Sequence, residues 1–282
     1  MVDLSLFPLP PRTIGLQDAA FVADVPYDRA RAWHEIGLPA AAAHDEHGEP
    51  FFGHREVVTL MWLARMNHMG VTDTEIHTAT TALGAAGTTP TAVATALPDI
   101  LDHRPDDTAS DLADRLRTMG PLALLPTPVA DRLTHLGPDG LRPADLEDLL
   151  VTDSLQGTAL AFVRSDIPLT LAADPALRAG AEEIEAAEAA LDLLEDPEHP
   201  DVTATARLMA HHTEALAQAT ARLGLDTEVE AYLDAACASA PEKTEAQRQA
   251  ENERDAERTT KMPYPFSAAR WRAHVLSFTT TD

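Results

Sequence analysis

The stretch that decides the fold runs Leu16-Gln-Asp-Ala-Ala-Phe-Val-Ala-Asp-Val25, then Arg31-Ala-Trp-His-Glu-Ile-Gly-Leu38, then Phe51-Phe52, and closes with Glu56-Val57, Leu60, Leu63, Met69-Gly-Val-Thr72 and Glu75-Ile76. Gln17–Ala23 places Ala19, Ala20 and Ala23 at helical spacing, and such small side chains let a second helix cross closely. Asp24 follows at a tight turn, where aspartate tolerates the left-handed conformation better than most residues. Pro26 suits a first helical turn, so Pro26–Glu35 reads as the second helix of a helix-turn-helix, stopped by Gly37-Leu38. The loop from Pro39 to Pro50 is polar at its centre and ends in two phenylalanines, the pattern of a two-stranded wing pinned to helices beneath. His54–His68 carries apolar Val57, Val58, Leu60, Met61, Trp62 and Leu63. Thr72, with Glu75 three residues later, caps a further helix.

In order and spacing these residues resemble the DNA-binding module of the MerR family of bacterial transcriptional regulators. The resemblance covers about a fifth of the chain. It implies an N-terminal winged helix-turn-helix in which Arg29 and Arg31 address DNA from the recognition helix. Tyr27 lies near that helix's start, Arg55 reaches a phosphate beside the wing, and homodimers meet two half-sites. Family members usually carry arginine in the wing and a tyrosine pair after the recognition-helix arginine. Here the wing reads His44-Asp-Glu-His47-Gly-Glu-Pro-Phe-Phe52, and Ala32-Trp33 stands at the pair.

Charge sets a second bound. The 282-residue chain has a net charge of −25, and residues 1–76 hold five arginines against eleven carboxylates; no lysine precedes Lys243. A DNA-binding surface gains affinity by displacing counterions with cations, so the module must gather Arg29, Arg31 and Arg55 locally, with acid displayed elsewhere. One cysteine, Cys237, excludes a disulfide framework and argues against a thiolate metal sensor. His44, His47 and His54 with Asp45, Glu46 and Glu49 have ligand chemistry for a divalent ion, but a wing with its arginines exchanged for other polar residues explains them more simply. No metal or other cofactor is therefore expected. Without a phosphate loop, a serine elbow or a His-Glu-x-x-His string, no enzyme is expected either. There is no apolar run of membrane length and no charged-then-apolar leader at Met1, which reads as a cytoplasmic protein.

Beyond Ile76 the chain reads as helices punctuated by proline and glycine, with no sustained period-two pattern. The expected fold class is all-α: the winged module over residues 1–87, a helical-bundle domain for effector binding or dimerisation over 88–240, and a charged tether with a C-terminal helix over 241–282. Gly84–Pro90 interrupts the place of a long dimerisation helix. Helices are predicted at about 90–103, 107–119, 128–136 and 143–155. Leu177, Ile184 and Leu191, then Val202, Met209, Leu216 and Leu223, recur at seven residues. They predict an antiparallel hairpin with coiled-coil-like packing, either core of the bundle or a dimerisation element.

The run Glu242–Arg258 mixes both signs without large apolar residues, a solvated helix or linker. Tyr264, Phe266, Trp271 and Phe278 then crowd a short segment that must bury its rings against the body, a second subunit or a ligand. Tyr264, Phe266, Arg270, Trp271 and Arg272 are thus the candidate contacts for a small organic effector or a protein partner. Tyr27, Arg29, Arg31, Trp33, His44, His47 and Arg55 are the candidate contacts for DNA. Two functions follow from different classes: a transcriptional regulator, or an interaction or ligand-sequestering protein that kept the module and lost most of its electrostatics for DNA.

Overall fold

A computed structural model describes residues 9–83, 90–137, 141–194, 196–240 and 243–279. It is mostly helical, with one small antiparallel sheet. Two compact units emerge: a larger one of Thr13–Ser165 with Ala240–Pro263, and a smaller one of Met1–Arg12, Asp166–Ser239 and Tyr264–Asp282.

The larger unit begins with β1 (Ile14–Gly15) and α1 (Leu16–Val22). Asp24 makes the turn with φ of 56°, the left-handed conformation its sequence position predicts, and α2 (Tyr27–Glu35) follows with Pro26 at its N-cap. Ala19, Ala20 and Ala30 are buried, which permits the close crossing of the two helices. β2 (Ala43–His44) and β3 (Pro50–Phe52) form the expected hairpin, and β1 adds a third strand in the order β1-β3-β2, with Ile14 opposite Phe52 and Ala43 opposite Phe51. At the hairpin tip Asp45 Oδ1 accepts from the backbone N–H groups of His47 and Glu49, each at 2.8 Å, and Gly48 has φ of 84°.

Helix α3 (His54–His68) fills the space beneath, burying Val57, Val58, Leu60, Met61, Trp62, Leu63 and Met66. Thr72 and Glu75 form the anticipated reciprocal cap of α4 (Asp73–Leu83): Thr72 N–H donates to Glu75 Oε2 at 2.8 Å and Glu75 N–H to Thr72 Oγ1 at 3.3 Å. The glycine break expected at Gly84–Gly87 lies outside the described residues. The unit continues through α5 (Pro90–Leu101), α6 (Asp107–Met119), a 3-10 turn (Gly120–Leu124), α7 (Thr127–Leu133), a second 3-10 turn (Thr134–Leu136), α8 (Pro143–Gln156) and α9 (Thr158–Arg164). Arg65 stitches α3 to the first of these turns, its Nε donating to Leu124 O at 2.7 Å.

The charged stretch near the C-terminus returns to this unit as α14 (Glu245–Lys261). Thr244 and Gln247 cap it reciprocally. One face of an otherwise solvated helix meets α1. Lys261 Nζ donates to Asp18 Oδ1 at 2.9 Å and sits 5.1 Å over the Phe21 ring, and Arg254 pairs with Asp24. Arg258, only 4 % exposed, donates from Nε and Nη2 to Val22 O at 3.1 and 2.8 Å. Val22 ends α1, so a cation meets an orphan carbonyl at the negative pole of a helix.

In the smaller unit α10 (Asp166–Ala173) precedes the hairpin helices α11 (Pro175–Leu191) and α12 (Pro200–Leu223), which Gly224, in the left-handed region, links to α13 (Leu225–Ser239). Leu191, Val202 and Ala206 pack with Ala269 and Ala273 of α15 (Ala268–Ser277), flanked by Leu194, Met209 and Leu276. The seven-residue stripe is buried at this end only: Leu177, Ile184 and Leu216 are half-buried, Leu223 is exposed, and α13 has no buried residue. Among the described residues no helix is long and apolar enough to cross a membrane.

Candidate functional site

Helix α2 presents a polar face because its apolar positions, Ala30 and Trp33, turn inward. Tyr27, 47 % exposed, stands at its first turn, with the Arg31 guanidinium 6.0 Å from the ring centre. Arg31 lies 3.7 Å from Asp28 and 3.8 Å from Glu35, one helical turn to either side. Both pairs are exposed, so each is worth at most about 1 kcal/mol and is readily exchanged for another anion. Arg29 donates from Nη1 to Asn67 Oδ1 at 2.6 Å. Arg55, exposed in the first turn of α3, has no carboxylate within ion-pair distance among the described residues.

Trp33 has a different role from its neighbours. It is 2 % exposed and its indole N–H donates to Asp73 Oδ1 at 2.9 Å, so it holds α2 to the start of α4 and offers nothing to a ligand at the surface. Asn67, in the last turn of α3, and Asp73, just after the Thr72 cap of α4, hold Arg29 and Trp33, and their sequence positions carry no signal of it. On the hairpin His44 and His47 are both exposed, and His47 Nε2 lies 3.5 Å from Glu46. His54 instead turns back, its Nδ1 3.0 Å from Pro263 O.

The second set of candidates belongs to the smaller unit. Tyr264 meets Phe266 and Trp271 edge to face, with ring centres 4.8 and 4.7 Å apart, and the Arg270 guanidinium lies 3.4 Å from the Phe266 centre. Arg270 bridges α15 to α11, donating to Glu188 Oε2 at 2.9 Å and Asp192 Oδ2 at 2.8 Å. His274 Nε2 lies 2.7 Å from the other Glu188 oxygen. Burial pushes the Glu188 carboxyl upward, but the His274 and Arg270 contacts outweigh it and hold the group below its ordinary value. Arg272 pairs with Glu198 at 2.6 Å. Burial also raises the Tyr264 phenol, whose hydroxyl has no hydrogen-bond partner among the described residues. The arm is thus a clasp on the hairpin whose arginines already hold carboxylates; Tyr264, Phe266 and Trp271 are half-buried, but Phe278, expected to be buried with them, is 84 % exposed because it follows the last turn of α15.

Compared with family models, curated proteins and solved structures, the chain matches none.

Proposed function

We propose that the protein is a MerR-like transcriptional regulator. It binds DNA as a homodimer through a winged helix-turn-helix made of α1, α2 and the β2–β3 hairpin, and its remaining helices receive an organic effector or a protein partner. The observation that carries this reading is the outward set of Tyr27, Arg29 and Arg31 on α2 and Arg55 at the start of α3, with a left-handed Asp24 joining α1 to α2 and an exposed hairpin tip between α2 and α3. The ion pairs restraining Arg31 are surface pairs that a phosphate displaces at a cost of about 1 kcal/mol or less.

The test is a fluorescence anisotropy titration against the DNA upstream of the protein's own gene, at two salt concentrations. With three or four cations per module, log affinity should fall against log salt with a slope on the order of −3 to −4 per module. Arg31→Ala should weaken binding to every sequence alike. Absence of binding at low salt, together with binding by a His44→Arg/Glu49→Arg variant, overturns the reading.

A second reading is favoured by one observation: Asp28 and Glu35 flank Arg31 on α2, and the hairpin carries Asp45, Glu46 and Glu49 with no cation of its own. Under it the module serves protein or ligand capture, and Arg31→Ala leaves partner binding unchanged.

A further inference from the structure

The larger unit contains a cleft of about 700 Å³ where α6 ends and α8 begins. Its volume falls within the roughly 300–1,000 Å³ typical of small-molecule sites. Met119, Pro121 and Leu141 form half-buried walls over a floor of buried Leu122 and Leu146. Among the described residues no aromatic lines it, so none of them stacks on a flat ring.

Its polar groups are few and biased. Thr118 Oγ1 donates to Asp114 O at 2.8 Å, and Thr134 Oγ1 lies 2.9 Å from both Ala130 O and Asp131 O. With their protons committed to the backbone, both hydroxyls present lone pairs to the cleft. Two arginines stand on the lining, and both are compensated. Arg117 is bonded to Asp102, with Asp114 at 3.5 Å and Asp99 at 3.9 Å. Arg142 grips Asp145 through Nε at 2.9 Å and Nη2 at 2.6 Å. Asp99, Asp102, Asp114 and Asp145 thus hold the two guanidinium groups of the lining, and neither is left to attract a further anion.

We infer that this cleft binds a compact, largely aliphatic small molecule that bears a hydrogen-bond donor, an amine or hydroxyl, and no negative charge. The inference goes beyond the DNA-binding reading and does not rest on it, since its test contains no DNA.

The full chain is titrated by isothermal calorimetry with 1-adamantylamine and, separately, with adamantane-1-carboxylate, which share one compact aliphatic cage and differ in charge. The amine should bind at least about tenfold more tightly than the carboxylate, a difference of about 1.4 kcal/mol. Asp102→Asn should narrow that gap, because it loosens the hold on Arg117. Leu141→Gln strips an apolar wall and Thr134→Trp fills the space. Each should weaken binding of the amine about tenfold while the helical circular dichroism is unchanged. Equal affinity for the two cages overturns the charge assignment. Binding of the amine that is absent, or indifferent to both cleft variants, overturns the site.

Discussion

Replacing Arg258 with alanine should loosen α14 from α1 and lower the stability of the larger unit by about 2–4 kcal/mol. Two donors of a buried cation meet one carbonyl, Val22 O, at 3.1 and 2.8 Å. Hydrogen bonds to charged groups contribute about 1.5–3 kcal/mol net, and a truncated side chain leaves the acceptor unsatisfied. Loss of the packed methylenes adds about 0.8 kcal/mol each. Against this, burial already pushes the guanidinium below its ordinary value, so its removal recovers part of a desolvation penalty. For a unit of this size the net loss corresponds to a melting shift of about 5–15 °C. Arg258→Leu keeps an apolar stem and isolates the polar part, about 1–3 kcal/mol. Arg258→Lys offers a single point charge in place of a fork and should fall between the two. Thermal unfolding by circular dichroism reads the shift, and hydrogen exchange over residues 245–261 reads the loosening. A melting change below about 1 °C for Arg258→Ala, with unchanged exchange in α14, refutes the reasoning.

Other outcomes are open to measurement. Glu188 has a folded-state value below its unfolded one of about 4.3. Its contribution is therefore complete above that pH and is lost as pH falls through the folded value. Glu188→Gln should accordingly flatten the acid limb of a stability profile below about pH 5. Trp33→Ala should cost about 3–5 kcal/mol in urea unfolding, as for any large buried aromatic. In the smaller unit Leu191→Ala should cost about 2–5 kcal/mol and half-buried Leu216→Ala less than half as much; equal losses would mean that the whole stripe is core.

The helical elements were legible where local chemistry marks them. The spans His54–His68 and Asp107–Met119 agree with expectation at both ends, and Pro175, Pro200 and Gly224 punctuate the hairpin as proline and glycine do. Asp24 and the Thr72–Glu75 cap were readable for the same reason: each is a short-range device. Strand β1 was not, because two residues carry no period; its place depends on Phe51 and Phe52, far along the chain. Helices α9, α10 and α13 escaped as well. The first two are short, with Ser165 between them, and α13 has apolar spacing without a buried face to explain it.

Heptad spacing aligned the residues of α11 and α12 without saying how much of the stripe is covered, which depends on where α15 lies. At the candidate sites sequence could rank Arg29, Arg31 and Arg55 as cations but could not show that Trp33 points inward or that Arg270 is already held by Glu188 and Asp192. The cleft beside Met119 was invisible for a plainer reason. Its walls come from four separate elements and include no residue type that stands out.

The return of α14 also fixes a sequence of events during synthesis. Val22 and Arg258 are separated by 236 positions, so the carbonyl leaves the ribosome long before its donor exists. Closing so long a loop adds only about 0.6 kcal/mol per doubling of length, which the contacts of α14 readily offset, but the closure cannot begin early. Until then Asp18 and Asp24 face water without Lys261 and Arg254, and Val22 O at the end of α1 lacks its side-chain donors. A nascent chain arrested ahead of residue 245 therefore lacks these donors to α1, which a segment encoded more than two hundred codons downstream supplies.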